Sequence, residues 1–203
     1  LNYYGDKHSY PYDIYPCYQP LDAGHDYFGQ SRLPRMIERL NPDVIILLND
    51  PWNIRGYLTS IEAYQKGREK FKLDPLIIPP IIPWLAVDSC NQKGYELNSP
   101  LIPHIAVWTE FAKSELISGG YSGDCSVIHL GVDTSIFYPR DKSESRIKVC
   151  GGHVKDDDFV VGVVGRNQPR KRLDLTICCF SEWIKRYNIS NAWLYLHVAP
   201  TGE

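Results

Sequence analysis

Residues 159–172 read Phe-Val-Val-Gly-Val-Val-Gly-Arg-Asn-Gln-Pro-Arg-Lys-Arg, and their reading decides the fold. Phe159 to Val164 is a short apolar run bounded by polar chain, the pattern of a buried parallel strand. It breaks at Gly165 into a turn that holds Arg166, Arg170, Lys171 and Arg172. Beyond the turn, Leu173, Ile177, Phe180, Ile184 and Tyr187 recur at spacings of 4, 3, 4 and 3, one face of a helix. Four cations therefore stand where a strand ends and a helix begins. Open α/β sheets bind ligands outside the carboxyl ends of their strands, and helix N-termini attract anions. The stretch predicts an α/β fold whose natural guest at this turn is a phosphate or diphosphate.

The same rhythm recurs upstream. Ser31 to Leu40 predicts a helix with Ser31 as N-cap. Val44 to Leu48 predicts a fully buried strand that stops at Asn49-Asp50-Pro51, and Ile54, Tyr57, Leu58, Ile61 and Tyr64 mark a helix that closes near Gly67. Leu76 to Val87 predicts one strand flanked by Pro79, Pro80 and Pro83, with Asp88 at its exit. His104 to Trp108 predicts a strand, Thr109 a cap, and Glu110 to Ser118 a helix stopped by Gly119-Gly120. Cys125 to Leu130 and Ala192 to Val198 predict two more strands. Strands alternating with helices are the sign of a doubly wound sheet. Residues 1–30 are rich in Tyr, Asp, Gly and Pro and predict a connection with a short strand near Tyr12 to Tyr15; their tyrosines either stack on sugar or pack a loop. The polar stretch 140–158 is the best linker in the chain, dividing residues 1–139 from 159–203.

The 203 residues suffice for one large domain or two small ones, and 43% hydrophobic content can fill a core. A net charge of −2 gives no reason to expect nucleic acid. The charge is uneven: residues 1–139 carry eleven Lys or Arg against sixteen Asp or Glu, residues 140–203 eleven against eight. The half with the proposed anion site is thus the basic one. The six cysteines form no CxxC pair and no zinc spacing, and Cys178 and Cys179 are expected to pack as small apolar residues in a helix of a reduced, cytoplasmic protein. No run of 18 apolar residues predicts a transmembrane helix. GxxxxGK[ST], GxGxxG, GxSxG and HExxH are absent, and Gly162 and Gly165 have the wrong spacing for a glycine-rich phosphate loop. Phosphate recognition would therefore rest on Arg and Lys charge.

Val127-Ile128-His129-Leu130-Gly131-Val132-Asp133 followed by Phe137-Tyr138-Pro139 resembles the "VIPNGVD…F.P" segment of glycosyltransferase family four. Val161 to Arg166, with Lys171 five residues on, resembles that family's "vGR….K" segment, and Val107-Trp108-Thr109 with its helix resembles the segment just before. The ordered set covers roughly residues 104–190. His129 and Leu130 depart from the Pro and Asn common there, the family's N-terminal glycine-rich loop is missing, and its Glu-x7-Glu motif would fall beyond Glu203.

The resemblance implies a GT-B fold: two Rossmann-like, doubly wound domains facing a cleft, both incomplete here. The acceptor-side domain would span 1–139, the linker 140–158, and the start of the nucleotide-sugar domain 159–203. It implies a retaining hexosyltransferase-type enzyme that moves a sugar from a nucleotide-diphosphate donor to a carbohydrate, glycan or lipid-linked acceptor, without catalytic metal or other cofactor. Association with a membrane surface stays open beside a cytoplasmic location, and the fragment alone is expected to be inactive. Gly165, Arg166 and Lys171 would meet the donor diphosphate; Arg170 and Arg172 have no match and are expected to face solvent. Asn49, Asp50 and Asp88 sit at predicted strand exits. Asp50 either orients or deprotonates an acceptor hydroxyl or simply caps a helix. Asp133 would mark the end of the acceptor domain. A non-catalytic sugar- or protein-binding module of the same fold is the alternative.

Overall fold

A computed structural model describes residues 11–15, 26 and 28–199. The chain forms two compact units, Leu1–Gly131 and Val132–Glu203.

The first unit is α/β. Its strands β1 (Ile45–Asn49), β2 (Ile81–Leu85), β3 (His104–Val107) and β4 (Asp124–Val127) are all parallel and lie side by side in that order. Helix α1 (Leu33–Leu40) precedes β1; α2 (Pro51–Lys70) links β1 to β2, and α3 (Glu110–Ser118) links β3 to β4. A 3-10 turn, Gly94–Leu97, lies between β2 and β3. Ile45, Ile81, Leu85, Ile105 and Val107 on one sheet face join Ile37 of α1, Ile54 and Ile61 of α2 and Leu116 of α3 in a single core.

The other face is different. A parallel strand that steps always to the next neighbour, through right-handed crossovers, puts every helix on the same side. Ile46 and Leu48 are consequently 66% and 58% exposed, and β1, at the edge among the described strands, is covered on one face, where a fully buried strand was expected. The described strands show no reversal of order, so the unit is Rossmann-like without the switch point that double winding requires. On that open face Trp84 and Trp108 meet edge to face, 6.4 Å between ring centres, and Trp84 Nε1 donates to the carbonyl of Ile128 at 3.1 Å. The indole nitrogen of Trp108 is buried and has no hydrogen-bond partner among the described residues.

Several element ends follow the sequence closely. Thr109 caps α3, its hydroxyl accepting from Ala112 N at 3.1 Å. Helix α2 runs past Gly67 to Lys70, and Pro83 lies inside β2, one residue before the ladder to β3 begins at Trp84. Ser31 does not cap α1; the position is held by Arg32, while the Asp26 carboxylate gathers the amide of Gln30 and both the amide and hydroxyl of Ser31. Residues 11–15 form no strand.

The second unit is built on β5 (Phe159–Val164) and β6 (Ala192–His197), a parallel pair in a sheet of its own, joined by α5 (Leu173–Arg186). Trp183 of α5 packs against Phe159 and Phe180 at 6.0 and 5.7 Å. The expected linker is in part a helix, α4 (Lys142–Cys150), capped by Asp141 through Glu144 N at 2.9 Å and closed by Gly151 at φ +63. Arg146 donates to the carbonyls of Lys155 and Asp158, and Ser143 to the carboxylate of Asp156, so α4 is tied to the chain that enters β5. With only two strands to cover, α5 buries nothing fully; Cys178 and Cys179 are exposed rather than packed.

Candidate functional site

The basic turn belongs to the second unit. β5 gives out at Val164, and Gly165 N adds one more bond toward β6, to the carbonyl of His197 at 3.1 Å. A 3-10 turn, Pro169–Lys171, then tightens the chain: Gln168 N reaches the carbonyl of Arg166 at 3.0 Å and Lys171 N that of Gln168 at 2.9 Å. Arg166 and Lys171 thus flank one compact turn at the carboxyl end of a strand, and both are exposed. Neither takes part in an ion pair among the described residues. A side chain at Gly165 would meet nothing within 4 Å, which leaves open approach to the strand end.

Arg172 behaves otherwise. It adopts a left-handed conformation (φ 46) and donates from Nε and Nη2 to the two oxygens of Asp174, at 3.0 and 2.8 Å. The Arg172 fork holds the Asp174 carboxyl down at about 2. An acid of the chain's own thus stands in the first turn of α5, where an external anion was expected. The cations of this turn that stay without an ion pair among the described residues are Arg166, Arg170 and Lys171. Sequence reading missed Gln168, which lies between Arg166 and Lys171 in the chain and whose buried Oε1 has no hydrogen-bond partner among the described residues.

Asp50 belongs to the first unit, at the carboxyl end of β1. It holds the N-cap position of α2 with extended backbone, yet its side chain makes no capping bond. Asn49 does the local work instead: its Oδ1 accepts from Asp50 N at 2.9 Å and from Asn53 Nδ2 at 2.8 Å, and its Nδ2 donates to the Tyr57 hydroxyl at 3.3 Å. The Asp50 carboxylate is left over. Partial burial, and the charge of Asp88 at the exit of the neighbouring β2, both raise its pKa. Asp50 and Asp88 thus follow neighbouring strands, and the Asp50 carboxyl is the one shifted upward.

Asp133 has a local task, accepting from the amide and hydroxyl of Ser135 at 2.9 and 2.6 Å in a turn. His129 Nδ1 lies 2.7 Å from the carbonyl of Trp108 and fastens the chain after β4 to the end of β3. Among the described residues no three His, Cys, Asp or Glu side chains gather as metal ligands, and no helix is long and apolar enough to cross a membrane. Compared with known families and with curated proteins, the chain matches no family model and no curated sequence.

Proposed function

We propose that this protein belongs to a retaining, GT-B glycosyltransferase that moves a sugar from a nucleotide-diphosphate donor to an acceptor hydroxyl. The observation that carries the reading is the contrast within one turn: among the described residues Arg166, Arg170 and Lys171 stand without ion pairs after β5, while Arg172 is committed to Asp174; the resemblance singles out Arg166 and Lys171. As the glycosidic bond to the donor breaks, negative charge builds on the leaving diphosphate. Fixed cations aimed at it stabilise the transition state more than the ground state. Gly165 gives the phosphates room, and Asp50, with its raised pKa, receives or orients the acceptor proton. The reading carries with it a carbohydrate, glycan or lipid-linked acceptor and a cytoplasmic setting. Calorimetric titration of the chain with uridine, guanosine and adenosine diphosphates tests it. Binding that is weakened by Arg166→Ala and Lys171→Ala but kept by Arg172→Ala is expected; no binding to any of the three would overturn it.

A further inference from the structure

A hollow of about 600 Å³ opens at the amino ends of β2 and β3, away from the strand exits. Ile61, Leu73, Pro75, Ile78 and Leu101 make it apolar, and Glu62, Lys66 and Glu69 of α2 stand along it. Leu73 is 54% exposed, and Phe71 and Ile77 of the same loop are 73% and 83% exposed. Exposed apolar residues gathered beside an apolar hollow mark a surface built for contact.

The loop that carries them is already ordered. Gln65 of α2 takes both backbone groups of Leu76: its Nε2 donates to the carbonyl at 2.6 Å, and the amide donates to its Oε1 at 2.9 Å. Arg68 Nε donates to the carbonyl of Asp74 at 2.6 Å, and Leu73 N to the carbonyl of Arg68 at 2.9 Å. Lys72 turns the chain in a left-handed conformation (φ 53). A surface fixed in advance loses little entropy when something covers it.

The charges around the hollow balance. Glu62, Glu69 and Asp74 stand against Lys66, Lys70 and Lys72, and none of the six forms an ion pair among the described residues. Arg68 is taken by Glu38. A patch without net charge gives an anionic membrane or a nucleic acid little to hold. The order of the charges matters more. Along α2 and the turn after it, Glu62, Lys66, Glu69 and Lys72 alternate in sign at spacings of 4, 3 and 3. Read backwards, such a row carries the opposite sign at every place. It is therefore complementary to a second copy of itself laid antiparallel, the relation that a two-fold axis imposes.

We infer that two copies of the chain associate through this face. Their α2 helices run antiparallel across a two-fold axis. Lys66 of each copy meets Glu69 of the other, Glu62 meets Lys72, and Leu73 of each closes over the Ile61 end of the opposite hollow. Phe71 and Ile77 fill the margin. The contact leaves the strand exits of the first unit free and does not rest on the transferase reading.

Sedimentation velocity on the full chain, over a roughly hundredfold range of concentration, tests this. The mass should rise from one chain toward two as concentration increases. Leu73→Asp should weaken association roughly tenfold or more, because it carries an unpaired charge into an apolar contact. Two charge-reversed variants give the sharper comparison. Glu62→Lys with Glu69→Lys makes the row wholly basic, and Lys66→Glu with Lys72→Glu makes it wholly acidic. Each alone should stay monomeric, and an equimolar mixture should dimerise, since every contact then pairs opposite signs. Circular dichroism checks that each variant folds. A wild type that stays monomeric throughout would overturn the proposal, as would a dimer that survives Leu73→Asp or a mixture that remains monomeric. Monomers that co-sediment with phosphatidylglycerol vesicles would overturn it too, and give the face to a membrane instead.

Discussion

Arg172 and Asp174 are joined by two parallel hydrogen bonds, Nε to Oδ1 at 3.0 Å and Nη2 to Oδ2 at 2.8 Å, across the start of α5. The fork pins the Asp174 carboxylate in the first turn of α5, beside the positive end of the helix dipole.

That pair sets a pH window. The Asp174 carboxyl titrates at about 2 in the folded protein, below its ordinary value of 3.8. A depressed folded pKa favours the folded state at pH above the ordinary value, and the contribution is lost as pH falls toward 2. Thermal melts of wild type and Asp174→Asn should differ at neutral pH and converge between pH 4 and about 2. A difference that persists undiminished to pH 2 would show that the pair is not what separates them.

The same substitution should also uncover the α5 N-terminus. With its resident acid gone, the amides and Arg172 become available, and inorganic phosphate should bind Asp174→Asn more tightly than wild type. Phosphate titration followed by NMR shifts of Leu173 to Thr176 reads this directly; equal affinity would mean that Asp174 does not compete for the terminus.

In the intact enzyme, Arg166→Ala and Lys171→Ala should each cost about 2.7–4 kcal/mol in transition-state stabilisation, roughly a hundred- to thousandfold, with kcat falling more than donor KM rises. Lys171→Arg should rescue in part, because a planar fork and a point charge approach phosphate differently. Arg172→Ala should leave turnover nearly unchanged. Steady-state kinetics with a nucleotide-sugar donor decides, and damage from Arg172→Ala equal to that from Lys171→Ala would refute the division of labour in the turn.

Asp50 should trade stability for activity. Its folded pKa is raised, so the folded state holds the proton more firmly, and stability is lost as pH rises from the ordinary carboxylate value through the folded one. Asp50→Asn keeps a good cap residue and removes the charge beside Asp88. It should raise the melting temperature at pH 7, lose that advantage in acid, and lower transfer. A variant that is less stable at pH 7 would restore Asp50 to a purely structural role.

Gly67 and Gly119 should respond oppositely to alanine. Gly67 lies inside α2 with nothing within 4 Å of a built Cβ, so Gly67→Ala should stabilise by about 0.5–1 kcal/mol. Gly119→Ala meets the backbone of Gln92 at 1.9 Å, and should cost about 1–3 kcal/mol or more as the two backbones part. Urea melts of the two variants measure both.

Much of the frame was legible because local signals agreed with it. The apolar run before Gly165 and the period of α5 suffice for the parallel β5–β6 pair, and Thr109 with Ala112 in reach makes an ordinary cap. What stayed hidden depends on partners distant in sequence. Nothing in Ile45 to Asn49 says that Ile46 and Leu48 face outward, since that follows from the direction in which the strands are laid. Helix α4 was legible in principle, for Asp141-Lys142-Ser143-Glu144 has the spacing of a capping box, but its polarity pointed to a linker. At the candidate sites, the apolar runs placed Asp50, Asp88, Arg166 and Lys171 after the carboxyl ends of strands, where the structure has them. The release of Asp50 from capping by Asn49, the capture of Arg172 by Asp174 and the stranded oxygen of Gln168 all required coordinates.

The order β1-β2-β3-β4 has a consequence for how the chain assembles during synthesis. Among the described strands, each pairs with the one made just before it and the one made just after. No early strand waits for a distant partner, so the first sheet can grow from its N-terminal edge as the chain leaves the ribosome. At about 5–20 residues per second, β2 follows β1 within seconds, and the loops to be closed are short. A nascent chain that has cleared the ribosome as far as Val107 already holds the partners of β1, β2 and β3, whereas among the described strands β5 must wait for Ala192 to His197.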